Sequence, residues 1–120
     1  MQFAQAEAIC SAARAFLWDT AARIWEKTSS GEPATMKDQA LARLANTNAS
    51  VGAAQVADLM FSAAGGTAIS TTSRIERLFR DAHAAAAHAT ASIPTYEQWG
   101  KVLIHEDPES IPRQPGPPLL

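Results

Sequence analysis

A chain of 120 residues holds enough material for one domain, which excludes two catalytic domains with a cleft between them. Its formal charge of -2 and pI near 5.9 leave no cluster of cations of the kind that binds nucleic acid. Charged residues make up 18% of the chain, below the roughly 25% of an average soluble domain, while roughly a fifth of it is alanine and 7% is aromatic.

That composition points to helices packed through small side chains, with a less polar surface than a lone monomer usually carries. The single cysteine, Cys10, excludes an internal disulfide and reads as an inert buried thiol. The first residues, Met1 to Gln5, lack the basic and apolar blocks of a signal peptide, and no run approaches the roughly 20 apolar residues of a bilayer span. The expectation is a cytoplasmic protein without membrane insertion.

From about residue 3 to 28 the chain is free of Gly and Pro, with Ile9, Ala13, Phe16, Leu17, Ala21 and Ile24 at helical spacing. A second apolar line, Ala15, Trp18, Ala22 and Trp25, runs beside the first and predicts a helix covered on two sides. Asp19, Arg23 and Glu26 mark its wet strip, and Asp19 with Arg23 is a favourable i, i+4 pair. Gly31 and Pro33 stop this helix; Thr35 followed by Asp38 resembles a capping box that starts a second one near Met36. Leu41, Leu44, Val51, Val56, Leu59, Met60 and Ala63 carry it to about Ala64, with Gly52 tolerated where another helix comes close.

Gly65-Gly66 breaks the second helix, and a hydroxyl-rich run follows to Ser73. A third helix is predicted from about Arg74 to Ser92, with Ile75, Leu78, Phe79, Ala82, Ala86 and Ala89 buried. Pro94 ends it, and Thr95 with Glu97 and Gln98 opens a short fourth helix through Leu103. With no strand signal, the chain reads as all-α: an up-down bundle of three long helices plus a short fourth, completed by dimerisation, over residues 1–105. Residues 106–120, with Pro108, Pro112, Pro115, Pro117 and Pro118, read as an extended or disordered tail.

The third helix carries the most distinctive pattern. Arg77, Asp81 and His88 are spaced to share one face of it, while Ile75, Phe79, Ala82 and Ala86 share another, so one helix offers both a core face and a chemically equipped face. His83 and His88 are five residues apart, about 140° around a helix, which argues against a metal site from this pair. His83 reads as solvent-facing beside Glu76 and Arg80. The bland reading of Arg77–Asp81 and Glu76–Arg80 is surface pairing, and that of Trp18, Trp25 and Trp99 is packing. For anions, the start of the third helix with Ser70, Thr71, Thr72 and Ser73 is better placed than Gly65-Gly66, because a helix C-terminus turns carbonyls toward the break.

Ala12-Ala13-Arg14-Ala15-Phe16-Leu17 with Trp25, the Ala63-Ala64-Gly65-Gly66 break, the run Arg77-Leu78-Phe79-Arg80-Asp81, His88, and Tyr96-Glu97-Gln98-Trp99-Gly100-Lys101-Val102-Leu103 together resemble a known family. It is the C-terminal helical domain of the acyl-CoA dehydrogenase superfamily, nearest to the flavin-dependent monooxygenase branch. Two-component members of that branch hydroxylate aromatic or sulfur compounds with reduced flavin from a separate reductase. The resemblance implies that Gly65, Gly66 and Ser73 approach flavin phosphate or adenine, that Arg77 and Asp81 are structural or flavin-side residues, and that His88 faces the isoalloxazine and substrate. There it would donate a hydrogen bond or act as an acid or base. Family members are much longer, and this chain shows neither their N-terminal helical domain nor their β-domain, nor the first helix of the C-terminal bundle. FAD or FMN is therefore expected only with a complementing domain, and none for the isolated chain. The expected partners are a second copy or a flavoprotein subunit, and a hydrophobic or aromatic small molecule.

Three functions follow from this reading. The chain is a flavin-facing domain that is not self-sufficient; or a stand-alone small enzyme in which His88 works with Arg77 or Asp81 in cyclase- or isomerase-type acid-base chemistry; or a non-catalytic helical binding or assembly protein.

Overall fold

The computed structural model describes residues 1–70, 72–88 and 90–113, Thr67 by its backbone alone; Thr71, Ala89 and the stretch from Gln114 on, all invoked above, lie outside the described residues. Helix α1 spans Gln2–Ser29, α2 Met36–Ala64, α3 Arg74–Ala86 and α4 Pro94–Ile104, with 3₁₀ turns at Gly65–Ile69 and Pro108–Ser110. No strand occurs among the described residues, and no helix there is long and apolar enough to cross a membrane.

The first two helices form an antiparallel hairpin. Gln2 Nε2 meets Ser62 Oγ at one end, and Lys27 Nζ meets Asp38 Oδ2 at the other. Gly31, at φ 90°, turns the chain between them in a conformation that side-chain-bearing residues rarely adopt. The predicted capping box is present: Asp38 N–H donates to Thr35 Oγ1 at 3.1 Å, and Thr35 N–H donates to the Asp38 carboxylate at 2.8 Å. Gly52 is the predicted point of close approach, since a Cβ there would stand 3.1 Å from Ile9 Cγ2 of α1.

Helices α3 and α4 run back along α2 one after the other. Phe79 stacks on Phe61 at the C-terminal half of α2, Asn46 Nδ2 donates to Thr90 O near its middle, and Val102 packs on Met36 and Ala40 at its start. They are in effect one broken third helix, and α2 is the central rod. The resulting body measures 52 × 26 × 26 Å with a radius of gyration of 17.2 Å, against about 14 Å for a compact chain of this length. Little lies deep inside. Among the described residues the buried apolar positions are Ala6, Ala13, Met36, Ala40, Ala45, Ala54, Ala68, Ala91 and Val102, of which only Met36 and Val102 are larger than alanine.

Three expectations require correction. The third helix stops at Ala86 rather than Ser92: an alanine run has no large side chain to hold its last turns down, and the chain bends so that Ala91 and Thr95 reach the interior beside α2. Pro94 accordingly opens α4, at the first helical position where its missing N–H costs nothing, instead of ending α3. The second apolar line of α1 is not covered by the described residues: α2 takes Ala6, Ala13 and Thr20, and Ala15, Trp18, Ala22 and Trp25 remain exposed. Glu109 accepts the Met36 N–H at the start of α2, and Ile111 packs against the Met36, Ala40 and Val102 cluster.

Lys27, above all, and the Thr35 N–H and hydroxyl hold the Asp38 carboxyl down from its ordinary 3.8 to about 2. A value lowered on folding stabilises the fold above the unfolded value and loses that contribution as pH falls through the folded one. Asp38→Ala is therefore expected to cost about 2 kcal/mol at neutral pH. Chemical denaturation between pH 5 and pH 2 should show a shallower loss of stability in the variant than in the parent; parallel curves would refute this.

Candidate functional site

The predicted site residues are strung along α3 and its two ends. At the near end, Gly65 caps α2 with φ 63° and its N–H donates to Ser62 O, and Gly66 continues into the 3₁₀ turn. Ser73 is the N-cap of α3 but makes no side-chain cap bond, so its hydroxyl leaves the first N–H groups of the helix to other acceptors. Ser70 Oγ and Thr72 Oγ1 pair with each other at 2.8 Å instead. Backbone donors without a capping side chain remain at this end of α3.

Arg77 and Asp81 follow on the exposed side of α3. Among the described residues no ion pair joins them, whereas the parallel pair Arg80–Glu76 closes at 2.7 Å. The Glu76 carboxylate is mostly buried, with one oxygen facing the interior unpaired. Arg77 thus presents a guanidinium that meets no carboxylate among the described residues, a group suited to phosphate or carboxylate.

His88 lies past the end of α3, in the turn toward α4, so the face it was predicted to share with Arg77 and Asp81 as part of one helix ends two residues before it. It is exposed. Its Nδ1 sits 2.9 Å from Thr90 Oγ1 and accepts the Thr90 N–H at 3.3 Å. Accepting that N–H leaves the proton of the neutral ring on Nε2, which has no partner among the described residues and points a donor outward. From Ser73 to His88 the row covers about 20 Å, at 1.5 Å per helical residue, so no single pocket gathers it. Cavities lie elsewhere: one of about 230 Å³ between α1, α2 and α4, lined by residues including Ile9, Asn48, Gln55 and Tyr96, and one of about 90 Å³ beside Trp99 and Ile111.

His83 is the residue that sequence reasoning placed least well. It is exposed as expected, but its Nε2 meets Asp58 Oδ1 of α2 at 2.8 Å, and its ring stacks on Phe79, which stacks on Phe61. The i, i+4 spacing of Phe79 and His83 signals the stack; the Asp58 partner comes from another helix and leaves no local trace. No group of three or more His, Cys, Asp or Glu side chains able to hold a metal occurs among the described residues.

Residues 1–93 match the family model described as acyl-CoA dehydrogenase, C-terminal domain. The chain is similar to indole-3-acetate monooxygenase of Pseudomonas putida, with 33% identity over 105 residues, 88% of this chain and 27% of the relative. It therefore spans about a quarter of the length of that relative. No solved structure matches the chain. The chain belongs to the acyl-CoA dehydrogenase C-terminal domain family.

The two sides of α3 are expected to separate in mutagenesis. Arg77→Gln and Asp81→Asn, on the open side, should change stability by less than about 0.5 kcal/mol. Phe79→Ala, in the middle of the stack against α2, should cost about 2 kcal/mol. Thermal denaturation of the three variants checks this, and a large loss in Asp81→Asn would give that residue a structural role.

Proposed function

We propose that, as a member of this family, the chain supplies the flavin-facing C-terminal helical part of a cytoplasmic flavin-dependent monooxygenase, and that it acts only where further domains complete the site. The observation that carries this reading is the open row on α3. The start of α3 at Ser73 has no side-chain cap, the exposed Arg77 meets no carboxylate among the described residues, and the exposed His88 follows the end of the helix with an Nε2 donor, while α2 packs behind α3. Such groups fit one edge of a phosphate-bearing, planar cofactor and leave its other faces to a second body. FAD or FMN, when bound, supplies the oxygen and electron chemistry. This chain's residues hold and orient: the start of α3 and Arg77 toward anionic groups, and His88 as a hydrogen-bond donor or proton carrier beside substrate. Similarity to an indole-3-acetate monooxygenase makes an aromatic carboxylic acid the natural substrate class to test first.

A stand-alone enzyme built on His88 is the less favoured alternative, because His88 is exposed to solvent and the cavities beside Trp99 and Tyr96 do not include it. The exposure of both His83 and His88 keeps the non-catalytic assembly reading in play.

The experiment is a chimaera in which this chain replaces the matching segment of the relative. The expected result is a folded flavoprotein that hydroxylates an aromatic acid with reduced flavin, and in which His88→Ala lowers kcat by about 10² to 10⁴. A folded chimaera that binds no flavin overturns the proposal. One that turns over unchanged in His88→Ala assigns the chain an assembly role alone.

A further inference from the structure

The cavity of about 230 Å³ between α1, α2 and α4 shares no residue with the open row on α3. Its floor is a single stripe of α2. Asn48, Val51, Gly52 and Gln55 stand at i, i+3, i+4 and i+7, so all four turn to the same side of that helix. The stripe is apolar in the middle and carries a carboxamide at each end, about 10 Å apart at 1.5 Å per residue. Helix α1 contributes Ile9 and Ala12, and the first turn of α4 contributes Tyr96. Two features shape the space. Gly52 adds no side chain to the floor, and the break after Ala86 lets α4 begin at Pro94 and bring Tyr96 to the cavity.

The chemistry of the lining is selective. None of the described lining residues is charged, and the side chains of Asn48, Gln55 and Tyr96 make no hydrogen bond among the described residues. A carboxamide offers both a donor and an acceptor, and so does a phenol. A carboxylate or ammonium entering this slot would lose hydration without meeting an opposite charge. Since an apolar cavity of about 150 Å³ holds benzene, the present one has room for two fused rings.

We propose that this slot binds a neutral, planar, fused-ring heteroaromatic molecule carrying an N–H and a carbonyl group. The rings lie over Val51 and Gly52, flanked by Ile9 and Tyr96, and the polar groups exchange hydrogen bonds with the carboxamides of Asn48 and Gln55. The row on α3 makes the opposite demand, since the Arg77 guanidinium suits phosphate or carboxylate. The slot therefore stands apart from the proposed function, and either can fail without the other.

The probe is 2-quinolone, a neutral bicycle with adjacent N–H and C=O groups, titrated into the full chain labelled with ¹⁵N. It is expected to bind with a Kd of about 1 mM or tighter, as befits so small a ligand. The largest shifts should fall on the Gly52 N–H and on the side-chain NH₂ resonances of Asn48 and Gln55. Quinoline-2-carboxylate, the same ring system with a charge, should bind at least about tenfold more weakly. Gln55→Leu should weaken 2-quinolone by about fivefold to tenfold. Ala12→Trp, which places an indole of the chain's own in the slot, should abolish binding while circular dichroism keeps the helical content. No shift at saturating probe, equal affinity for the carboxylate, or shifts centred on the exposed Trp18 and Trp25 in place of Gly52 each overturn the proposal. Unchanged affinity in Gln55→Leu overturns it as well, whether or not Ala12→Trp folds.

Discussion

Everything in this fold depends on how closely other helices can approach α2. It is flanked by α1 along its length and by α3 and then α4 one after the other, and the positions it turns toward these neighbours leave no space for bulky side chains. Its buried positions are correspondingly small: Ala40, Ala45, Thr47, Gly52 and Ala54, with Met36 at one end. Small residues let axes come to about 8 Å, the short end of helix packing. The consequence is a shallow interior. Large apolar side chains are pushed outward, which is why Trp18, Trp25, Ile69, Ile93 and Ile104 lie largely exposed. Thr20 and Thr47, buried with hydroxyls that find no partner among the described residues, belong to the same constraint: a threonine fills space that a valine would fill, at the cost of a desolvated oxygen.

Much of this was legible because the signals were local. The end of α1 at Gly31, the Thr35–Asp38 box, the run of α2 to Ala64 and the close approach at Gly52 each follow from a few neighbouring residues and a backbone rule. What failed were features decided at a distance. The alanine run after His83 is as helical as any sequence by propensity, yet α3 stops at Ala86 because α2 offers a place for Ala91 and Thr95 that a continuing helix would not reach. Glu109 and Ile111 sit in a proline-rich stretch with no periodicity, and their docking on the start of α2 has no signature in their own neighbourhood. Cover for the Trp18 and Trp25 line was inferred from apolarity, and apolarity says that a surface wants a partner without saying where the partner resides.

The candidate site shows the same division. Residue types and order along α3 were readable, and so was the start of the helix at Arg74. The orientation of His88 was not, because it is set by the Thr90 backbone in a turn that helical periodicity does not contain. The arrangement keeps chemistry and support apart. Phe79 and His83 hold α3 to Phe61 and Asp58 of α2, while Arg77 and Asp81 take no part in that contact and are left for whatever lies outside. A helix so divided can change its outer face without loss of its seat, the condition under which one scaffold serves different substrates.

The bond between Met36 and Glu109 joins residues 73 positions apart, whereas the Lys27, Thr35 and Asp38 cluster closes within a dozen. During synthesis the α1–α2 hairpin therefore has its own clamp as soon as α2 has emerged, and waits for the residues near 109 before the start of α2 is covered. In that interval Met36 and Ala40, which Val102 and Ile111 later shield, face the solvent on a formed hairpin. The nascent chain thus passes through a stage with an ordered apolar surface, and its vulnerability to misassociation is set by the time needed to translate α3, α4 and the strap behind them.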